Sequence, residues 1–353
     1  MKLILELPMK DRGWMFQKME KRKMYYNNRK INLYSLAGIL FLSIILWSCK
    51  QEVSIKKGRF TAVNPVSYTD VIYKADRDTV FVSGFDGKIH EVIKSETKKQ
   101  QIAAIGDEIY AMAYDKRKSR LYAATLNSGI VVINIKDGSV LKQLPLKNTW
   151  AKQLTYNSHN GILATYDFKG YHYVWNTNED FNAIETPKVL QGTHPRYIRD
   201  NGDIFFDGKQ GVIVWNYKTK TIIQKNKTSG HLIDVDNQNN YLMLSGKEFS
   251  FFDTKADSIV YSQKHPDWPI YVADKDTTVK VPLHLEIISG IITTNTIYTC
   301  GLDKSLRKWD KQSGELMNTY LLSKNTPSAM DIAKDGGQLV IVDLGGNIQF
   351  QEL

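Results

Sequence analysis

Seven bulky apolar residues recur along this chain at nearly fixed spacing, and they restrict the fold more than any other feature. They are Val92, Ile133, Trp175, Trp215, Phe252, Trp309 and Phe350, with gaps of 41, 42, 40, 37, 57 and 41 residues. Each ends a short hairpin. One apolar strand precedes a turn rich in Gly, Asp and Asn, and a second strand carries the bulky residue. A period near forty built from short strands is the sequence mark of a propeller blade. Seven such units predict an all-β, seven-bladed β-propeller.

The hairpin turns fall at residues 84–87, 126–129, 167–170, 207–211, 245–248, 301–304 and 343–346. Their Gly, Asn and Asp residues tolerate positive φ or bond their own backbone, as tight turns require. Residues 59–66 (RFTAVNPV) read as a strand with no hairpin partner beside it, and the last repeat stops after its third strand. The first strand is therefore expected to complete the last blade, which removes the exposed sheet edge.

The stretch 301–315 (GLDKSLRKWDKQSGE) resembles the end of a WD40 repeat, including the Trp309-Asp310 pair. Trp175-Asn176, Trp215-Asn216 and Phe252-Asp253 are weaker echoes, and Gly230-His231 resembles the Gly-His start of such a repeat. The His–Asp–Ser/Thr–Trp hydrogen-bond set that the resemblance implies inside a blade reads as incomplete here. Blade six offers His284, Thr299 and Trp309, with Asn295 near the expected Asp. Quinoprotein-like and lactonase-like propellers remain open alternatives.

The net charge of +10 suggests nucleic acid until it is divided. Residues 1–48 carry nine Lys/Arg against three acids, net +6, which leaves 38 basic and 34 acidic residues beyond them, net +4. That remainder has interspersed charges and no Arg-rich stripe, so nucleic-acid binding is not expected. Residues 31–48 (INLYSLAGILFLSIILWS) are uncharged and follow Arg29 and Lys30, the order of an export signal. Leu46, Ser48 and Cys49 resemble a bacterial lipoprotein signal, in which the cysteine is acylated and becomes the mature N-terminus. Trp47 departs from that pattern. The alternative is an uncleaved membrane helix over 31–48, near the lower length for a span. Either reading puts the following domain across the inner membrane, because positive residues stay inside. Met24 would begin a leader of ordinary length. The expected organisation is a signal or anchor at 1–48, a tether at 49–58 and a propeller at 59–353. Three triplets beginning at Asp78, Asp257 and Asp276 resemble the O-glycosylation pattern of exported Bacteroidetes proteins.

Candidate chemistry is sparse. The 57-residue gap marks an insertion over 262–282 carrying His265, Trp268 and Tyr271. Aromatics on a loop above a rigid ring suit partner contact, since Trp and Tyr dominate binding hot spots. A connection that folds back and buries them is the structural alternative. A longer connection over 178–199 carries Phe181, His194 and Tyr197. Asp86, Asp167, Asp207, Asp303 and Asp343 lie in or beside hairpin turns that should share one mouth of the central channel. Together they could hold a cation or basic ligand, although Asp also favours turns for its own bonding. The two cysteines, Cys49 and Cys300, lack near partners, and Cys300 reads as an inert core thiol. No nucleophile elbow, zinc-binding helix or phosphate loop is present.

The sequence thus predicts a monomeric, membrane-attached propeller in the cell envelope, facing periplasm or surface. It would bind a protein or peptide, without cofactor, metal or catalytic residue. The alternative is a propeller enzyme or ligand sensor of lactonase, lyase or quinoprotein type, with inward-facing carboxylates or stacked aromatics.

Overall fold

In the computed structural model the described residues all belong to one compact unit. The structure describes residues 67–353, apart from 75–76, 149, 282–284 and 323–324. The leader, Cys49, the tether and residues 59–66 lie outside the described residues, as does His284.

Six four-stranded antiparallel sheets follow one another along the chain, and a three-stranded one ends it. Blade one runs Tyr68–Tyr73, Thr79–Gly84, Lys88–Ile93 and Lys98–Ala104, from inner strand to outer. The later inner strands are Ile109–Asp115, Ala151–Asn157, His194–Ile198, His231–Val235, Ile287–Ile292 and Pro327–Ile332. Each inner strand contacts the next, and the seventh contacts the first. The ring is closed and has seven blades.

There is no single core. Seven hydrophobic clusters lie between adjacent blades, each drawing on two of them. The second strand of each blade explains why. In blade one, Val80 and Val82 pack toward blade seven while Phe81 packs toward blade two. In blade two, Leu121 and Ala123 face back, whereas Tyr122 and Ala124 face forward. With both sheet faces covered, these strands read as unbroken apolar runs rather than as an alternation with polar residues.

The repeat markers on the third strands obey the same rule. Val92, Ile133, Trp175, Trp215, Phe252 and Trp309 all pack against the preceding blade. Phe350 does not. It pairs with Val340 and packs in the cluster shared with blade one, where Lys94 Nζ lies 5.3 Å from its ring centroid. One residue of register moves a strand side chain to the other face. Gln351, opposite Leu339, holds the position that the other markers occupy.

The seam between blades seven and one is dense. Tyr73 donates from its phenol to Gln338 Oε1 at 2.9 Å, and Arg77 pairs with Asp335 at 2.5 Å. Lys94 pairs with Glu352 at 3.1 Å. Ser67 Oγ donates to the Leu344 carbonyl at 2.8 Å, so the chain enters blade one beside the second turn of blade seven. Ile348–Glu352 is the last described strand of blade seven and has no outer partner among the described residues. The segment expected to fill that edge, 59–66, lies outside them.

Three carboxylates staple the inner strands together. Asp70 accepts the Met112 amide of blade two at 2.6 Å, Asp234 accepts Ile292 of blade six at 2.8 Å, and Asp331 accepts Tyr73 of blade one at 2.7 Å. Each satisfies a backbone N–H that the sheet ladders leave unpaired. All three are partly accessible, yet protein surrounds them closely enough that burial raises Asp70 to about 7 and Asp234 and Asp331 to about 6. The amides they accept act in the opposite direction, and the charge of Asp331 adds to the rise at the other two. These values lie above the ordinary carboxyl value near ~4. Between about pH 4 and 7 these three carboxyls therefore hold more protons in the folded ring than in the unfolded chain, so they cost stability as pH rises through that window. In thermal melts from about pH 5 to 8, Asp331→Asn should gain melting temperature relative to the parent as pH increases. A difference independent of pH would show that Asp331 does not titrate there.

Candidate interaction face

The hairpin turns between second and third strands gather on one face with the segments that enter each blade. Five backbone hydrogen bonds establish this. The amides of Phe85, Leu126, Phe168, Leu302 and Leu344 donate to the carbonyls of Ser67, Glu108, Trp150, Glu286 and Thr326, at 2.9–3.3 Å. The donor residue is apolar each time and occupies the same turn position. Phe85 is 40% exposed, Phe168 71% and Leu344 44%. Turn chemistry favours Gly, Asn and Asp at such places. The neighbouring aspartates mask this pattern in the sequence. The signal was present in it: a large apolar residue inside a hairpin turn, repeated in register. In blades four and five the second strands run on to Gly208 and Ser245, leaving two-residue turns with no apolar member.

Four rings connect along this face. Phe85 meets Tyr110 at 5.6 Å edge to face, Tyr110 meets Trp150 at 4.6 Å, and Trp150 stacks with Phe168 at 6.0 Å between centroids. Phe85 and Phe168 come from turns, Tyr110 from the inner strand of blade two, and Trp150 from the entry to blade three. Tyr110 donates to Glu108 Oε2 at 2.8 Å, and burial together with that bond pushes its phenol up to about 12. Beside the row, Lys147 Nζ lies 5.0 Å from the ring centroid of exposed Tyr171. A depression of about 390 Å³ opens next to it, lined by Leu126, Gln143, Pro145 and Leu146 among others. Exposed, connected apolar residues on one surface mark an interaction site.

The insertion expected over 262–282 is divided differently. Ser262, Gln263 and Lys264 belong to the outer strand of blade five, Ser258–Lys264. The inserted unit is a hairpin, Trp268–Val272 paired with Thr277–Val281, with Trp268 opposite Val281 and Tyr271 opposite Thr278. The side chains of Trp268 and Tyr271 are outside the described set. His265 is not a surface contact. It is wholly buried, with Nε2 2.7 Å from Thr299 Oγ1, and Trp309 Nε1 donates to the same oxygen at 2.8 Å. Its Nδ1 lies 3.4 Å from Asp303, and the Arg307 guanidinium inserts there, bonding Asp303 Oδ2 at 2.5 Å and meeting the imidazole nitrogen. Blade six therefore has its full His–Asp–Thr–Trp set, made from His265 and Asp303 in place of His284 and Asn295. The hairpin separated His265 from its inner strand in sequence and hid it. Burial, and with it the Arg307 charge, lowers the His265 pKa against the opposing pull of Asp303.

The turn aspartates look inward. Asp167 accepts the amides of Lys169 and Tyr171 and the Tyr173 phenol. Asp343 accepts the amides of Gly345 and Asn347. Asp86 accepts the Lys88 amide and pairs with its ammonium at 3.3 Å. Asp303 would be raised by burial, but His265, Arg307 and Ser305 hold it at about 2. Asp207 lies within its strand and binds Arg196 at 2.7 Å, His194 at 3.1 Å and the Leu232 amide at 2.9 Å. Those contacts and His231 outweigh burial and hold its carboxyl well below the usual range. Arg196 also reaches Gln153 of blade three and His231 of blade five, linking three blades. Four of the five carboxylates are buried, and among the described residues no three His, Cys, Asp or Glu groups gather to hold a metal ion.

The connection over 178–199 supplies the short outer strand Asn182–Ala183, a 3-10 turn and the inner strand of blade four. Phe181 is buried against Tyr122 there. Cys300 is buried, and burial pushes its thiol up to about 12, which leaves it unreactive. In blade four, Phe206 stands opposite Ile213, at the place that Thr299 holds opposite Arg307 in blade six. Trp215 Nε1 consequently has no hydrogen-bond partner among the described residues.

Thr299→Val should destabilise the protein by roughly 2–4 kcal/mol, since it strands two buried nitrogens, whereas Thr299→Ser should cost under ~1 kcal/mol. Urea unfolding distinguishes them, and equal losses would deny the hydroxyl its role.

No family model matches the chain, and no curated protein matches it. Solved structures do. The WD40 β-propeller domain of Doa1 is 13% identical, with 82% of this chain and 94% of that one covered at a TM-score of 0.64. U3-55K is 14% identical, with 83% and 97% covered at 0.67. At these identities the likeness is one of architecture, and it agrees with the seven wedges and the polar set of blade six: this chain has the WD40 β-propeller fold.

Proposed function

We propose that this protein is a lipid-anchored scaffold of the cell envelope that binds a protein or peptide on the face carrying the hairpin turns. The row Phe85–Tyr110–Trp150–Phe168 carries the reading. A soluble ring has no folding reason to place Phe at exposed turn tips, whereas partner surfaces are rich in such anchors. Backbone hydrogen bonds tie the Phe85 and Phe168 turns to the segments entering blades one and three, so little ordering is required on binding. WD40-type neighbours agree with a scaffold role. The inserted hairpin, Trp268–Val281, enlarges the surface between blades five and six. Attachment rests on the sequence 31–49: an apolar run after basic residues that ends at Cys49. Two acyl chains on that cysteine hold a protein at a bilayer far more firmly than one.

Crosslinking in cells followed by purification tests the binding. Phe85→Ala/Phe168→Ala should lose a partner that the parent retains, with melting unchanged because both rings are exposed. Removal of residues 268–281 is the companion variant, since a deletion from 262 would also take the edge of blade five and His265. A partner set untouched by both variants would remove the scaffold reading. For the anchor, metabolic labelling with a palmitate analogue should mark the parent and not Cys49→Ser. An unlabelled parent that remains in the membrane fraction would favour an uncleaved helix.

A further inference from the structure

The face is chemically divided. The aromatic row covers blades one to three and ends at Phe168. The next residue, Lys169, begins a second series, for the turns of blades three, four and five each present an exposed lysine: Lys169, Lys209 and Lys247. None of the three makes an ion pair among the described residues. Lys147, at the border, is also exposed. Acids nearby do not offset them. Asp167 is occupied by its own turn, and Asp207 by Arg196, His194 and His231. Glu248 pairs with Lys264 at 3.6 Å. Unneutralised cations on one side of a rigid apolar row are a complementary surface for negative charge.

Building on the binding reading above, we infer that the occupant is an acidic peptide segment with an aromatic or large aliphatic anchor. The anchor stacks in the Phe85–Phe168 row, and carboxylates further along the segment meet Lys169, Lys209 and Lys247. Geometry favours a peptide over an acidic sugar. The ring planes are inclined by 76°, 34° and 25° in succession, so the row is a faceted cleft suited to an inserted side chain rather than one flat platform for a pyranose. Two of its rings are Phe, which offer no hydrogen bond to hydroxyls.

The test uses the full chain in mild detergent and a random peptide library displayed on phage. Enriched sequences should combine Glu or Asp with Trp, Phe or Leu. Their affinity should fall at least ~5-fold in Lys169→Glu/Lys209→Glu, and raising salt from about 0.05 to 0.5 M should weaken binding to the parent more than to this variant. Phe85→Ala/Phe168→Ala should weaken binding at both salt levels. Enrichment of neutral or basic peptides that still depend on the two Phe residues would overturn the acidic inference and leave the docking face intact. Binders indifferent to both variants, or no enrichment, would overturn the inference and the docking face alike. Polygalacturonate competing better than polyglutamate at equal charge would replace the peptide with an acidic sugar and overturn it.

Discussion

Every blade here depends on having a neighbour on each side. A twisted four-stranded sheet with two apolar faces cannot be stable alone in water, because the area it leaves exposed is the area that drives folding. Seven such sheets solve the problem only by forming a circle in which the last covers the first. The contact of Pro327–Ile332 with Tyr68–Tyr73, the shared cluster of Val82 and Val340, and the pairs made by Arg77 and Lys94 make that closure. The innermost strands then face a channel with one edge each unpaired. Asp70, Asp234 and Asp331 fill part of that deficit by accepting amides from the adjoining strand.

Architecture was legible in the sequence because it rests on periodicity. Seven markers at a spacing near forty, with Gly- and Asp-rich turns between strands, correspond to seven blades, and the strand assignments of blades one to six follow the turns closely. Phe350 misled by one position: the last blade is offset, and an aromatic beside the true slot looked like the repeat. The long gap correctly indicated an insertion, yet its edges were misread, because an apolar hairpin and the outer strand before it have the same composition.

The site was less legible, and the reason is physical. A buried hydrogen-bond set is defined by which loops converge, not by distance along the chain. His265 precedes Thr299 by 34 residues, with a hairpin between them, so the nearer His284 looked the better candidate. The aspartates drew attention as charges, whereas Asp86, Asp167 and Asp343 accept amides from their own turns and Asp207 and Asp303 are neutralised by Arg196 and Arg307. The apolar tips Phe85, Leu126, Phe168, Leu302 and Leu344 were passed over because a single hydrophobic residue in a loop is unremarkable alone. Their meaning appears only when five hydrogen bonds place them on one rim.

The shortened turns of blades four and five have an effect beyond their own length. A ring of seven equivalent units would offer a guest seven indistinguishable orientations, and specificity would be diluted among them. Here the rim is interrupted on one arc and aromatic on another, so rotational degeneracy is lifted. A near-symmetric toroid thereby acquires a single azimuth along which an asymmetric molecule can be received.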